Sequence, residues 1–294
     1  MPWNRACPRP DRGTTRKDYK RGGKRYESDV TDQEWAIIEA TLPKQGRLGR
    51  PRETDLREVF NAIQYVLATG CQWRALPRDF PPYSTVVNYF YNWQGSGVFD
   101  RMMDALRDLA RAQAGREAEP TAAIIDSQSV KTTESGGPRG YDGGKKVVGR
   151  KRHIVVDVEG SVIVVAVHAA SVQDRDGAPA VIVALLEVAA SVKKLFADSG
   201  YAGPKLQEAL KDLGVSELIE IVPKPKGAKG FTVLYRRWVV ERSFAWMGRC
   251  RRLAKDVERT LASSLAWVKL AACRFLMRRV ARRQSSRYAS EIAA

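Results

Sequence analysis

Two short apolar runs that each end in an aspartate limit the fold of this chain more than any other feature. Residues 122–125 end at Asp126, and residues 195–197 end at Asp198. Around these runs, period-2 and period-3.6 patterns predict a hairpin, two helices and a final strand. The predicted ranges are 153–157 and 162–167 for the hairpin, 172–190 and 204–213 for the helices, and 218–222 for the last strand. With the helices that follow, the order is three strands, helix, strand, helix, strand, helix.

This order predicts an α/β fold with a mixed sheet and flanking helices, of the ribonuclease-H-like type. In it, an antiparallel hairpin unit is extended by parallel strands through helical crossovers, and the first and fourth strands are neighbours. Asp126 and Asp198 would each lie just past the end of one of those strands, where open α/β sheets bind ligands. Residues 236–259 have apolar positions every three or four residues and predict one long helix, which would bring Glu241 across the sheet.

Three carboxylates that meet at one place need a cation. At about 4 Å and an effective dielectric constant of about 20, each charged pair costs about 4 kcal/mol. Oxygen ligands without histidine or cysteine select hard ions such as Mg²⁺ or Mn²⁺. Two such ions about 4 Å apart can support an in-line phosphoryl displacement. We therefore predict Asp126, Asp198 and Glu241 as catalytic residues and metal ligands, with two Mg²⁺ or Mn²⁺ ions per active site.

The charge balance predicts a polyanionic partner. Fifty lysine and arginine residues against 33 acidic ones give a net charge of +17, which suits a nucleic acid or an anionic membrane surface. No apolar run approaches the roughly 20 residues of a spanning helix, and the N-terminus lacks the apolar core of a signal peptide. The four cysteines fit no zinc spacing, and two histidines exclude a His-rich metal site. The thiols suit a reducing cytosol, so we expect a cytoplasmic protein without a membrane-spanning segment.

The chain divides into four predicted parts. Residues 1–26 form a disordered basic arm, for phosphate contact or solubility, and residues 284–294 a flexible tail. Residues 27–116 form a helical domain, in which short helices joined by Gly/Pro turns fit a helix-turn-helix DNA-binding module. The alternative for this part is an all-helical packing domain with an aromatic core. Residues 117–283 form the catalytic domain.

Candidate DNA contacts lie in three segments before Glu241. Residues 49–52 resemble the short arms that enter a DNA minor groove. The helix that begins near Ser84 offers polar side chains, and residues 135–152, with six glycines and six basic residues, predict a flexible basic loop. Among the acids outside the triad, Asp174 and Asp176 are predicted to cap a helix, and Asp142 to be solvated. The candidate contacts here are Arg50, Arg52, Ser84, Thr85, Asn88, Lys145, Lys146 and Arg150.

The three acid-bearing motifs resemble those of DDE transposases. IIDSQSV around Asp126, FADSGYAG around Asp198 and WVVERSFAWMGRCRRLAKDVER around Glu241 are similar to that family's catalytic motifs, above all in the IS5 family of the IS4/IS5 group. The likeness covers roughly residues 27 to 282. It implies an insertion-sequence transposase that binds terminal inverted repeats and uses divalent metal to cut DNA. It further implies transfer of 3′-OH ends to target DNA, and at least a dimer on DNA.

The resemblance also implies DNA contacts around Glu241. Relatives carry a tyrosine and an arginine before the glutamate, which Tyr235 and Arg237 match, and a basic residue after it. Gly248 stands where a lysine is common in the wider group. The residues that could substitute are Arg249, Arg252 and Lys255. Trp246 could stack on a base or lie in the core.

Two other functions use the same features. A ribonuclease-H-like nuclease would use the same triad and cut DNA without joining it. A non-catalytic DNA-binding protein derived from a transposase would be expected to have lost one of the acids, and all three are present.

Overall fold

The computed structural model of the protein describes residues 25–44, 52–134, 136–223, 234 and 236–292, with the side chains of 285–292 left out. Two predicted DNA contacts, Arg50 and Tyr235, lie outside the described residues, as do residues 1–24 of the predicted arm. Arg25 and Tyr26, which that prediction also assigned to the arm, belong to the folded part. Arg25 forms an ion pair with Glu58, and Tyr26 stacks on Phe80 with ring centroids 5.2 Å apart.

Four helices precede the sheet, and local signals define their ends. Thr31 forms the predicted capping box with Glu34, and Asp55 caps the second helix by accepting the Arg57 and Glu58 N–H groups. Gly70 ends that helix in the left-handed conformation at φ 72°. The helices are α1 (Asp32–Glu39), α2 (Leu56–Thr69), α3 (Tyr83–Gly95) and α4 (Val98–Gln113). This part is all-helical as predicted, whereas its helix-turn-helix character stays a prediction.

The sheet is mixed and has the predicted neighbours. Strand β1 pairs antiparallel with β3 and parallel with β5, β5 pairs parallel with β6, and β2 and β4 both pair antiparallel with β3. The first and fourth predicted strands, now β1 and β5, are therefore adjacent. The strands are β1 (Ala122–Lys131), β2 (Gly140–Asp142), β3 (Val147–Asp157), β4 (Val162–Ala169), β5 (Lys194–Ala197) and β6 (Ile219–Ile221). Helix α5 (Asp174–Val188) connects β4 to β5, and α6 (Pro204–Asp212) connects β5 to β6.

Strand β1 is longer than predicted, and Asp126 lies inside it. The parallel pairing with β5 ends at Ile124 and Phe196, but the pairing with β3 continues until Lys131 lies opposite Gly149. The prediction that Asp126 follows the end of its strand is therefore wrong. Asp126 instead lies two residues after Ile124, the last residue of β1 that pairs with β5, so it lies near the carboxyl end of β5.

The prediction of a flexible loop over residues 135–152 is wrong for most of the segment after residue 139. Residues 140–142 and 147–152 are β-strand, and the side chains of Arg150, Lys151 and Arg152 are buried. The reason is that buried carboxylates from distant segments pair with these cations. Arg150 lies 2.8 Å from Asp256. A basic run can therefore lie inside a protein when its partners arrive from elsewhere in the chain.

The predicted long helix over 236–259 is also wrong. Helix α7 (Trp238–Met247) ends at Gly248, and a 3₁₀ turn follows at Arg251–Leu253. The segment after the turn pairs with the end of β1, since the Asp256 N–H donates to the Lys131 carbonyl at 2.8 Å. Helix α8 (Leu261–Ile292) then runs past the predicted start of the tail at residue 284, so the tail prediction is wrong as far as Ile292.

Two hydrophobic clusters lie on the two faces of the sheet. One joins the sheet to α7, α8 and the N-terminal helices, and in it Trp267 of α8 stacks on Phe90 of α3 at 4.6 Å. The other packs α5 and α6 against the opposite face, with Ile125 and Leu185 fully or almost fully buried. Helix α8 therefore packs with the elements of 27–116, although the prediction grouped it with the catalytic domain. In the described part of the chain, no helix combines the length and apolarity that crossing a bilayer requires.

Candidate active site

The structure brings the three predicted acids to one edge of the sheet. Asp126 lies on β1, and Asp198 follows β5 and accepts the Gly200 N–H at 2.8 Å. Glu241 lies in the first turn of α7. Arg237 joins two of the acids, because its Nη2 lies 3.7 Å from Asp198 Oδ2 and 3.6 Å from Glu241 Oε1. One guanidinium group therefore lies between two carboxylates from elements far apart in sequence.

The carboxyl group of Asp126 interacts electrostatically with Asp198 and Arg237. Burial raises the pKa of its carboxyl group to about 6, and the negative charge of Asp198 acts in the same direction. The Ser127 N–H, which donates to Asp126 Oδ1 at 2.7 Å, and the charges of Lys145 and Arg237 oppose this rise in pKa. With a pKa of about 6 the carboxyl group is mostly ionised at pH 7, and positive charge added beside it would favour the ionised form further.

The donor set fits a hard divalent ion. All three side chains offer carboxylate oxygens, which Mg²⁺ and Mn²⁺ prefer. Within the described residues, no three acidic, histidine or cysteine side chains are already close enough to hold a metal ion. Arg237 lies between Asp198 and Glu241, so metal binding and this ion pair would use the same oxygens. Metal binding would therefore require Arg237 to shift.

A buried polar network beneath Asp126 was missed by sequence reasoning. Ser127 Oγ donates to Asp174 Oδ1 at 2.7 Å, and Lys151 Nζ contacts the same oxygen at 2.8 Å. The prediction that Asp174 caps a helix is therefore wrong, since Gln173 is the N-cap of α5 and the Asp174 side chain faces β1 and β3. Polar residues alternate along β1, and this pattern could have indicated a buried polar face. The sequence does not show that Asp174 and Lys151 are the partners of Ser127.

Asp142 belongs to this network and is buried, so the prediction that it is solvated is wrong. Burial raises the pKa of its carboxyl group, but hydrogen bonds from Ser129 and the Lys145 N–H, together with the Lys151 charge, outweigh burial and hold the pKa at about 2. Asp142 is therefore ionised at neutral pH and fixed by its donors.

The two histidines of the chain contact each other beside the network. The rings of His153 and His168 have centroids 4.9 Å apart, and His153 Nδ1 lies 3.0 Å from the Tyr201 hydroxyl. Burial lowers the pKa of both imidazoles, so both are neutral at pH 7. The two histidines are 15 positions apart on the two strands of the hairpin. Their contact could have been expected from this spacing, because β3 and β4 make them diagonal cross-strand neighbours.

The structure overturns two predicted DNA contacts. Arg150 is fully buried in its ion pair with Asp256, and it also donates to the Pro138 carbonyl at 3.0 Å. Arg252 has a side chain only 9% exposed, which donates to Glu258 at 2.8 Å and to the Cys71 carbonyl at 3.1 Å. Both guanidinium groups are engaged inside the protein, so neither is available to a phosphate.

The other candidates have different surroundings. Arg237 lies in the acid site, Lys145 is bonded to Ser127, and Arg52 donates to the Pro43 carbonyl. Thr85 and Trp246 are half-buried, and Trp246 lies against Phe275 and the Arg242 guanidinium. DNA contact stays a prediction for all of these residues and for the other exposed candidates, which are Ser84, Asn88, Lys146, Arg249 and Lys255.

Several known proteins are similar to part of this chain. The "Insertion element IS402 uncharacterized 16.2 kDa protein" of Burkholderia cepacia is 32% identical over 113 residues, which cover 36% of this chain and 76% of that protein. The "Putative transposase for insertion sequence element IS402" of the same organism is 29% identical over 157 residues, or 51% and 72%. Uncharacterized protein y4sN of Sinorhizobium fredii is 29% identical over 117 residues, or 40% and 87%. No solved structure matches significantly.

Two family profiles account for most of the folded chain. The profile described as "Transposase DDE domain" matches residues 117–276, more than half of the chain and a range that includes all three acids. The profile described as "Putative transposase of IS4/5 family" matches residues 30–103, which hold α1 to α3 and the start of α4. The converging acids, the mixed sheet and these matches agree, and the chain therefore belongs to the DDE transposases of insertion sequences, in the IS4/IS5 group.

Proposed function

We propose that this transposase binds the terminal inverted repeats of its own insertion sequence, hydrolyses DNA at the two ends and transfers the 3′-OH ends to target DNA. The proposal rests mainly on the convergence of Asp198 and Glu241 on Arg237, and on the electrostatic interaction of Asp126 with Asp198 and Arg237. The strand order and directions support a ribonuclease-H-like fold for the catalytic part. Joining two ends needs two active sites, so the protein acts as at least a dimer on DNA.

In this proposal, Asp126, Asp198 and Glu241 hold two divalent ions, Mg²⁺ or Mn²⁺. When bound, such ions would supply positive charge at the scissile phosphate and would activate the attacking water or 3′-OH. Asp126, Asp198 and Glu241 set the position of that charge. Arg237, displaced from two of the acids, is then free to pair with a DNA phosphate. Double-stranded DNA is the partner, which places the protein with the nucleoid of the bacterial cytoplasm.

One assay tests the proposal and separates its competitors. The purified protein is incubated with labelled DNA ends from the flanks of its gene, a target plasmid and Mg²⁺. We expect joined product from the wild type, and none from Asp126→Asn, which should still shift the DNA end in a gel. Asp176→Asn is the matched control, because Asp176 pairs with the exposed Lys205 and should leave joining intact.

The other outcomes have defined meanings. Cleavage without joining would support the ribonuclease-H-like nuclease. A mobility shift without cleavage in the wild type would support the non-catalytic DNA-binding protein. Equal joining by wild type and Asp126→Asn would overturn the assignment of the triad.

A further inference from the structure

Asp142 holds a short turn against the catalytic strand. Its Oδ1 accepts the N–H groups of Gly144 and Lys145, each at 3.0 Å. Its Oδ2 accepts the Ser129 hydroxyl at 2.5 Å and lies 3.4 Å from Lys151 Nζ. Asp142 is 5% exposed, so these bonds form away from bulk water. The turn after β2 is therefore tied to β1 and β3 by one buried carboxylate.

The turn ties the ammonium group of Lys145 to Ser127, the residue after Asp126, and the charge of Lys145 acts on the Asp126 carboxyl group. Lys145 Nζ donates to the Ser127 carbonyl at 3.0 Å and lies 3.1 Å from Ser127 Oγ. Ser127 directly follows Asp126, and its hydroxyl is itself held by Asp174. The residue as a whole is exposed, while its ammonium group is bonded to the strand that carries Asp126.

Lys145 has capacity left for a ligand. An ammonium group has three hydrogen-bond donors, and among the described residues Lys145 Nζ has Ser127 as its hydrogen-bond partner. Arg237, the other cation beside the acids, is occupied by Asp198 and Glu241. Lys145 therefore keeps a donor for a phosphate at the Asp126 side of the site, whereas Arg237 would first have to leave its carboxylates.

We propose that Lys145 is a catalytic residue that binds a non-bridging oxygen of the reacting DNA phosphate, and that Asp142 is the positioning residue that holds it at the residue after Asp126. This rests on the proposed function, since the phosphate is that of the DNA end. A lysine on a mobile basic loop would add affinity for any DNA. A lysine fixed at the acids stabilises charge that develops on the phosphate, so it acts on the chemical step.

The test compares rate and affinity in single-turnover joining of a pre-cut DNA end by the full chain. Lys145→Gln should lower the rate constant at saturating DNA about 100-fold or more, as expected for loss of one preorganised donor. Its dissociation constant for the DNA end should change by less than about threefold. Lys131→Gln, which removes an exposed lysine from the end of the same strand, should keep the wild-type rate.

Asp142→Asn tests the positioning role. It keeps Lys145 but weakens the bonds that hold the turn, so we expect a loss of rate of about tenfold with unchanged DNA affinity. Because Asp142 is buried, Ser129→Ala provides a second variant that removes only one of its bonds. Thermal unfolding of each variant checks that it is folded.

Two results would overturn the inference. One is a Lys145→Gln protein that joins DNA as fast as Lys131→Gln. The other is a Lys145→Gln protein that loses affinity and keeps its rate at saturation, as a simple DNA contact would. Joining by the wild type supports the proposed function whatever Lys145 does. Absence of joining by the wild type would remove both proposals.

Discussion

Replacing Arg150 by methionine should cause a large loss of stability, because the ion pair between Arg150 and Asp256 is among the most buried in the described structure. Both side chains are 0% exposed, and the joining nitrogen and oxygen lie 2.8 Å apart. Arg150→Met removes the cation and leaves a buried carboxylate. Breaking a buried pair from one side costs about 3–5 kcal/mol.

The surroundings of Asp256 favour the lower half of that range. Asp256 keeps the Ser264 hydroxyl, the Glu258 N–H at 3.1 Å and Arg152 at 3.8 Å. The arginine itself also donates to the Pro138 carbonyl, which attaches the segment before β2. A loss of about 3 kcal/mol would raise the ratio of unfolded to folded protein by roughly two orders of magnitude.

Urea unfolding followed by tryptophan fluorescence measures this loss. The exposed Arg139, in the same basic segment, provides the matched control Arg139→Met, which should stay within about 0.5 kcal/mol of the wild type. Adding Asp256→Asn to Arg150→Met removes the buried charge. The double variant should therefore be more stable than the sum of the single losses predicts.

The opposite result would refute this reasoning. If Arg150→Met unfolds at the same urea concentration as Arg139→Met but binds DNA much more weakly, then Arg150 is a surface contact, as its basic sequence context suggests. A double variant whose loss is the simple sum would show that the two side chains do not interact.

Three further predictions follow from the same structure. The pKa values of His153 and His168 are lower in the folded protein than in the unfolded chain. Below about pH 6.5 the unfolded chain therefore binds more protons than the folded protein, and the free energy of unfolding falls as the pH is lowered. At pH 5 His153 should cost about 2 kcal/mol relative to pH 8, and His168 adds a loss in the same direction. His168→Gln should therefore reduce the difference between the free energies of unfolding measured in urea at the two pH values. Gly149→Ala should cost at least about 3 kcal/mol in the same assay, because an added Cβ would lie 1.9 Å from the Val130 carbonyl oxygen, whereas Gly143→Ala meets nothing within 4 Å. Affinity for DNA ends, measured by fluorescence anisotropy, should fall steeply and linearly on a log–log plot against salt, and a flat response would contradict a phosphate-binding basic surface.

The failed predictions share a cause. Residues 135–152 have the composition of a mobile basic loop, yet Arg150 is paired with a carboxylate 106 positions away. The apolar period after Gly248 continues, yet the chain leaves the helix because the Asp256 N–H bonds to the end of β1. In both cases the local pattern did not predict the conformation, because the partner of the segment is distant in sequence. Buried charges and backbone groups need a hydrogen-bond partner, and the fold can supply it from any part of the chain.

The sequence by itself determined the helix caps at Thr31 and Asp55 and the neighbouring strands β1 and β5, because each depends on a local pattern or on chain order. It also predicted the three acids of the candidate site. Only the tertiary structure decided which basic residues lie inside. It paired Arg150 and Arg252 with internal acids, bonded Lys145 to the residue after Asp126 and joined Asp198 to Glu241 through Arg237. The physical reason is that the strength of a charge pair depends on distance and burial, and neither is encoded within a single segment.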